Sequence, residues 1–517
     1  MIRLDTISIL LSRLSSLGGS QGELHHARFA LPHELQPLTG HTLDEEALLL
    51  GRTHLGGIYR VMPSKKRREL GHCLVVAPPR SGKSVLAASQ ILTWPGSLII
   101  VDIKGELFEQ TAGYRHTLGP VYVLDPRGFG HQYDPLGRVT NEDELYESAK
   151  NLLFDPKEAE GRSFTEEGIL LEVLKWQACL ELNRKMGTTH RLLPFSRALG
   201  KLGINPAAAA MHAISPVLAQ EMLDGPYEPE RDYRENKFFA NSWQGSRARM
   251  YPLLTEQVVR CFNGSDFTGK DIIAGEKPVS LYLRIPERML SAKAPLIRLV
   301  LESLTTEMFD TFDDPNGKAC RPVLLILDEA GTVGFPSLPQ YAATAAGRNI
   351  SLWLALQDLA QLEGLYGVHK ARTIRNSMSA KVFFRQDDPA TAKHISETLG
   401  YRSGYSHSET LRDGEVSSEG RSETAVAVLT PREIMELDNT DVLFLFANFK
   451  PGRGKRMEYW RFPTLAKRRA MPPPPVRQLP PVDIPLPLAS TPVSGNTGEG
   501  SSRGGGLRFP IDPDDYN

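Results

Sequence analysis

The stretch from His72 to Gln90, HCLVVAPPRSGKSVLAASQ, restricts the fold more than any other part of the chain. Leu74-Val75-Val76 is an apolar run of strand length, and from Val85 onward Leu86, Ile91 and Leu92 suggest a helix with one apolar side. Between them lies Ala77-Pro78-Pro79-Arg80-Ser81-Gly82-Lys83-Ser84, which fits the phosphate-loop pattern G-x-x-x-x-G-K-[ST] except that Ala77 stands at the first glycine. A strand that turns through Gly-Lys-Ser into a helix aims the positive end of that helix at an anion. Gly82 permits close approach of backbone to phosphate. Lys83 can reach the β- and γ-phosphates of ATP, and the Ser84 hydroxyl can hold Mg²⁺. Arg80, Ser81, Gly82, Lys83, Ser84 and Val85 are the candidate nucleotide contacts; the plainer reading is a Gly-Lys-Ser turn before a helix.

The stretch RPVLLILDEAGTVG supplies the matching half. Five apolar residues, Val323 to Leu327, run straight into Asp328-Glu329. A buried parallel strand presents its functional residues at its carboxyl end. Asp328 is placed to hold Mg²⁺ and Glu329 to polarise an attacking water, an arrangement that favours hydrolysis over transfer to a small-molecule hydroxyl. SLWLALQDLAQL reads as another strand, ending at Gln357, with Gln361 four residues on; an amide at a strand tip can touch both the γ-phosphate and the water. Arg348, just before that strand, is a candidate arginine finger for a neighbouring subunit's γ-phosphate, with Arg372 and Arg375 as rivals.

Around these motifs the rhythm of strand and helix predicts an α/β fold with a parallel sheet. Residues 70–140 form the first part of a nucleotide-binding domain, with strands in SLIIVDIKGE and GPVYVLDP. From 141 to 255 strand signals vanish and apolar residues recur at helical spacing, which predicts an inserted all-helical domain. Strands return over 256–466, the second part of the nucleotide-binding domain. Within it, the Ser-, Glu- and Gly-rich residues 402–424 read as a long mobile loop. Residues 1–69 form a leader region ending in the basic run Lys65-Lys66-Arg67-Arg68, and 467–517, rich in Pro and Gly, read as a disordered tail. The net charge of -1 gives no global pull toward nucleic acid, so any such contact is local, as a ring or pore would supply. Cys73, Cys179, Cys261 and Cys320 are far apart, lack metal spacing and read as reduced core residues of a cytosolic protein. No stretch reaches the ~18 apolar residues needed to cross a bilayer.

Taken together, LVVAPPRSGKS, VDIKGELFEQTAGYR, YDPLG, LLILDEAGTVG, LALQDLAQLEGLYG and FFRQDDPATAKHISETLG resemble the type IV coupling proteins, the TraG/VirD-type ATPases of conjugation and type IV secretion. The likeness runs from about residue 50 to about 462 and accommodates Ala77 at the first loop position. It implies a RecA-like P-loop NTPase with an all-helical insertion, assembled as a homo-hexamer at the inner membrane. Such a motor binds single-stranded DNA carrying a relaxase, or another secreted protein, and hands it to the type IV secretion channel. ATP and Mg²⁺ are the implied cofactors, with Lys83 and Ser84 on the nucleotide, Asp328 and Glu329 as magnesium-binding and water-activating acids, and Gln357 as sensing amide. Family members usually begin with two membrane-spanning helices, whereas here about twenty residues precede GELHHARFALPHEL. Either peripheral attachment through a separate membrane partner or a soluble relative is therefore expected. An ATP-switched substrate receptor that does not translocate, and a cytosolic HerA/FtsK-like DNA-processing ATPase, are the competing readings.

Overall fold

A computed structural model describes residues 26–64, 69–139, 141–153, 162–317, 319–333, 337–412 and 415–487. The basic run at 65–68 and the first 25 residues lie outside them. In chain order the strands are β1 (Thr39–Gly40), β2 (Leu48–Arg52), β3 (Ile58–Val61), β4 (Cys73–Val76), β5 (Ser97–Asp102), β6 (Val121–Asp125), β7 (Phe129–Gly130), β8 (Ser280–Arg284), β9 (Val323–Leu327), β10 (Ile350–Leu356), β11 (Ala380–Phe383), β12 (Tyr401–Arg412), β13 (Glu415–Ala427), β14 (Asp441–Phe446) and β15 (Gly452–Lys455). Thirteen of them form one sheet in the order β1-β3-β2-β15-β14-β11-β4-β10-β9-β5-β8-β6-β7. From β11 to β6 the pairings are parallel, and the strands beyond β11 join antiparallel.

The apolar runs of the central strands are explained by burial on both faces. Along β4, Leu74 and Val76 point into one core and Cys73 and Val75 into the other. The second core holds helix α1 (Lys83–Thr93), through Leu86, Ala87 and Ile91, with Trp353 of β10. The first core continues without a break into the helical region, through Trp176, Phe195, Met211 and Trp243.

Among the described residues the segment between β7 and β8 is helical without strands, from Glu142–Leu153 through Arg162–Met186 and Lys237–Leu253 to Gly269–Ala274. Helical structure thus continues past residue 255, where the sequence pattern suggests a boundary. Inside it Lys175 and Glu172, both buried, pair at 2.6 Å. Glu172 also accepts from the Ser196 and Ser246 hydroxyls, so the charges are not left unsatisfied.

Three expectations from the sequence need correction. The leader is not separate: β1, β2 and β3 extend the main sheet beyond β15. The supposed loop 402–424 is a hairpin, β12 pairing antiparallel with β13 from Tyr401↔Ala427 to Arg412↔Glu415. Its strands lack an apolar alternation, so no core-facing signal marks them. The Asp413-Gly414 pair between them is nevertheless a strong hairpin signature. Finally, the tail does not leave the globule at 467. Helix α2 (Pro463–Arg469) is followed by an extended strap over residues 470–487. The Gly130 N–H donates to the Arg477 carbonyl at 2.8 Å, and the Leu479 N–H to that of Gly128 at 2.9 Å. Leu479 and Ile484 are buried. Proline pre-sets an extended backbone, which cuts the entropy lost on docking, while Leu479 supplies an N–H donor that proline lacks. The remainder of the tail, 488–517, lies outside the described residues. Cys73, Cys179 and Cys261 are buried as free thiols, whereas Cys320 is only partly buried and packs against the edge of the core.

Candidate functional site

Strands β4, β10 and β9 are neighbours and end together, with Val76 beside Leu356 and Leu354 beside Leu327. This register places the segment after β4, the Asp328-Glu329 pair and Gln357 at one edge of the sheet. The loop after β4 enters α1 through two left-handed residues, Arg80 at φ 64° and Gly82 at φ 103°. The Ser81 hydroxyl fastens the turn by donating to the Pro78 carbonyl at 2.6 Å. No side chain caps α1; the Val85 N–H donates to the Gly82 carbonyl at 3.1 Å, and the N–H groups at Lys83 and Ser84 head the helix end that favours an anion.

Lys83 Nζ lies 2.7 Å from Glu329 Oε2, and the Gln357 side-chain amide donates to Glu329 Oε1 at 2.9 Å. The Gln357 backbone N–H donates to Gln361 Oε1 at 2.9 Å. Gln361 also packs on Gly331, where an added Cβ would lie 2.9 Å from the Gln361 Cβ, so a larger residue there would displace the Gln361 side chain. The segments after β9 and β10 are thereby in contact.

Asp328 differs from its neighbour. Its Oδ1 is sealed from solvent without a hydrogen-bond partner. Burial pushes its pKa up to about 7, opposed by Lys83 and Lys104 and reinforced by Glu329 and Asp102. A buried acceptor with nothing to accept is where a cation fits, and Ser84, in the first turn of α1, offers the accompanying hydroxyl. Among the described residues no group of three or more His, Cys, Asp or Glu side chains is arranged to hold a metal alone. A cation held by Asp328 and Ser84 would complete its shell with oxygens from outside the protein, such as water or phosphate. Asp102, at the tip of β5, serves the fold instead, since its Oδ2 accepts the Phe108 N–H at 2.8 Å at the start of the helix Glu106–Leu118.

Lys83, Glu329, Gln357 and Asp328 are thus brought together; Arg348 is not. It precedes β10, at the opposite end of that strand, where its Nη2 and Nε lie 2.7 and 2.9 Å from Asp313 Oδ2. Its guanidinium covers the Phe309 ring at 4.7 Å. It cannot reach the phosphate loop of its own chain, roughly 25 Å away along the strand. Of its rivals, Arg375 pairs with Glu363 at 3.2 Å and Arg372 is exposed.

One residue beside the loop has no signal in the sequence. Arg456, just after β15, donates from Nη1 to the Ser81 carbonyl at 3.1 Å. It lies some 375 residues from the loop along the chain, in a segment without a motif, so local pattern could not have found it.

The family model described as "Type IV secretory system Conjugative DNA transfer" matches residues 42–168 and 239–476. The protein VirD4 of Rhizobium radiobacter is 25% identical over 417 residues, covering 77% of this chain and 58% of VirD4. The conjugal transfer protein TraG of Escherichia coli is 25% identical over 466 residues, 78% of this chain and 70% of TraG. The chain therefore spans little more than half of the VirD4 relative. Among solved structures, the bacterial conjugative coupling protein TrwBdeltaN70 in complex with sulphate aligns with a TM-score of 0.61 at 18% identity, over 85% of this chain and 96% of that one. This fold is the RecA-like α/β architecture with its helical insertion. With the matched segments covering most of its length, this chain belongs to the type IV secretory system conjugative DNA transfer family.

Proposed function

We propose that this chain is a Mg²⁺-dependent ATPase. Working as a ring, a homo-hexamer, it recruits relaxase-bound single-stranded DNA or a protein substrate and drives it into a type IV secretion channel at the inner membrane. The observation that carries the reading is the chain of bonds from Lys83 through Glu329 to Gln357, set beside the orphaned Asp328 oxygen at the mouth of an uncapped helix. Solved structures of TrwB in complex with an ATP analogue and with ADP and Mg²⁺ support the choice of ligand.

On this reading each side chain has a role. Without nucleotide, Lys83 and Glu329 neutralise each other. When phosphate arrives, Lys83 exchanges the carboxylate for phosphate oxygens, and Glu329 becomes free to accept a proton from water. Gln357 keeps the released carboxylate oriented through Glu329 Oε1. Through its backbone bond to Gln361 it ties that orientation to the helix Ala360–Ser377. Asp328 and Ser84 would hold Mg²⁺, which supplies positive charge to the phosphate oxygens. Arg348 would act on the next subunit's nucleotide.

The test is ATP turnover with and without single-stranded DNA. Lys83→Ala should abolish turnover with little change in thermal stability, because the substitution lies in a loop-to-helix turn outside the core. Glu329→Gln should still bind ATP and hydrolyse it at least ~100-fold more slowly. Turnover that survives Lys83→Ala within a few-fold would rule out the site. DNA stimulation of the wild-type enzyme is expected of a motor, and its absence would favour the ATP-switched receptor.

A further inference from the structure

The phosphate loop of this chain is braced from outside. Arg80 adopts a left-handed backbone, φ 64°, which an L side chain rarely takes, and Gly82 follows at φ 103°. Strained residues persist where their surroundings over-determine them. Ser81, between the two, has its carbonyl bound by Arg456 Nη1 at 3.1 Å. The same guanidinium lies on Gly82, where a Cβ would meet Nη1 at 2.8 Å and Cδ at 3.2 Å.

Arg456 is itself fixed on two sides. Its backbone N–H donates to the Thr440 carbonyl at 2.7 Å, at the start of β14. Its Nε donates to Glu458 Oε1 at 3.2 Å. Glu458 is buried, 3% exposed, and its other oxygen accepts from Arg52 of β2 at 3.1 Å and from Arg461. One carboxylate thus anchors three guanidinium groups, and one of those reaches the loop. Within the loop, the Ser81 hydroxyl and N–H both bond the Pro78 carbonyl across Arg80, and Arg456 adds a contact from outside the loop on the Ser81 carbonyl. A rigid, planar, permanently charged donor held in two places is suited to bracing the loop, because the guanidinium reaches its two partners from separate arms of a fixed fork, whereas a lysine has only one nitrogen on a flexible stem.

We propose that Arg456 is a positioning residue for the nucleotide site. Held by Glu458, it fixes the Ser81 carbonyl and keeps Arg80 and Gly82 in the left-handed geometry that aims the first-turn amides of α1 at the phosphates. The proposal rests on the reading of this loop as a nucleotide site. It also makes the Arg52–Glu458 pair a link from the loop to the strand β2 at the amino-terminal side of the chain.

The experiment is a double-mutant cycle on the full chain, read as the affinity for a fluorescent ATP analogue with Mg²⁺. Arg456→Ala should weaken binding by about tenfold, on the order of one charge-assisted hydrogen bond. Arg456→Lys should fall between it and wild type, and serves as the test variant if the alanine protein does not fold. Glu458→Gln loosens the anchor of Arg456 without touching the loop, so it should weaken binding in the wild-type background and add little to Arg456→Ala. Equal binding by Arg456→Ala and wild type would overturn the proposal. So would strict additivity of the two substitutions, which would mean that Arg456 does not act through Glu458. Lys83→Ala, measured alongside, separates the two failures: if it binds as wild type does, the nucleotide reading itself is wrong.

Discussion

At the carboxyl end of β10, Gln357 belongs to a cluster in which Lys83 and Glu329 are paired provisionally and Asp328 keeps a buried oxygen with no partner. At the amino end of the same strand, Arg348 is satisfied: Asp313 takes its Nε and Nη2, and Phe309 covers its face. The first end pairs its Lys83 and Glu329 charges yet leaves the buried Asp328 Oδ1 without a partner. The second is balanced already, but its ion pair is partly exposed, with side-chain exposures of 30% and 51%. Such a pair is worth at most about 1 kcal/mol, so the arginine can leave it at small cost. The strand therefore joins a cluster with an unpartnered buried carboxylate oxygen to a weakly held arginine.

The largest effect expected from this contrast is on turnover. Arg348→Ala should bind ATP normally, since Lys83 and Ser84 are untouched, and hydrolyse it on the order of 10³-fold more slowly, the scale for losing an arginine finger. Mixing it with Lys83→Ala sharpens the point. Some interfaces in mixed rings pair an intact Lys83 with an intact Arg348, so part of the lost activity should return. Mixed rings as inactive as either parent would confine Arg348 to a structural role.

A second contrast, within the Pro-rich tail, predicts a stability effect. Removing 488–517 should leave the melting temperature and ATPase activity nearly unchanged. Removing 470–517 uncovers the groove that holds Leu479 and Ile484 and should cost about 2–4 kcal/mol, seen as a lower melting temperature. Equal behaviour of the two truncations would show that the strap contributes nothing to the core.

The smallest effect concerns Asp328 without metal. Its folded pKa of about 7 lies above its ordinary value of 3.8, so the fold favours the protonated form. Stability is then fully present at low pH and is lost as pH rises through about 7. In EDTA, Asp328→Asn should raise thermal stability at pH 8, by roughly 1–3 kcal/mol, and change it little near pH 4. A pH-independent effect would mean that the carboxyl is not held protonated by its surroundings.

How much of this is legible in the sequence differs from element to element. The Gly82-Lys83-Ser84 turn, the apolar run into Asp328-Glu329 and the strand ending at Gln357 are readable, because each is a local pattern whose chemistry sits at a strand tip. The hairpin at 401–427 escapes because both strands are polar, so alternation gives no inward face even though Asp413-Gly414 marks the turn. The strap escapes for a different reason: proline richness describes what a segment cannot do by itself and is silent about the groove that receives it.

By itself, then, the sequence determined the parallel α/β core, the helical segment between β7 and β8, and the identities of the groups at the phosphate edge. Periodicity and strand-end chemistry are encoded within a few residues, so they survive without a fold. Tertiary structure alone decided that Lys83 rests on Glu329, that Arg348 faces away from its own site, that residues 39–61 complete the sheet, and that Arg456 braces a loop some 375 positions away in the chain. Each of these depends on strand order and register, which bring distant segments within hydrogen-bonding distance and leave no trace in local composition.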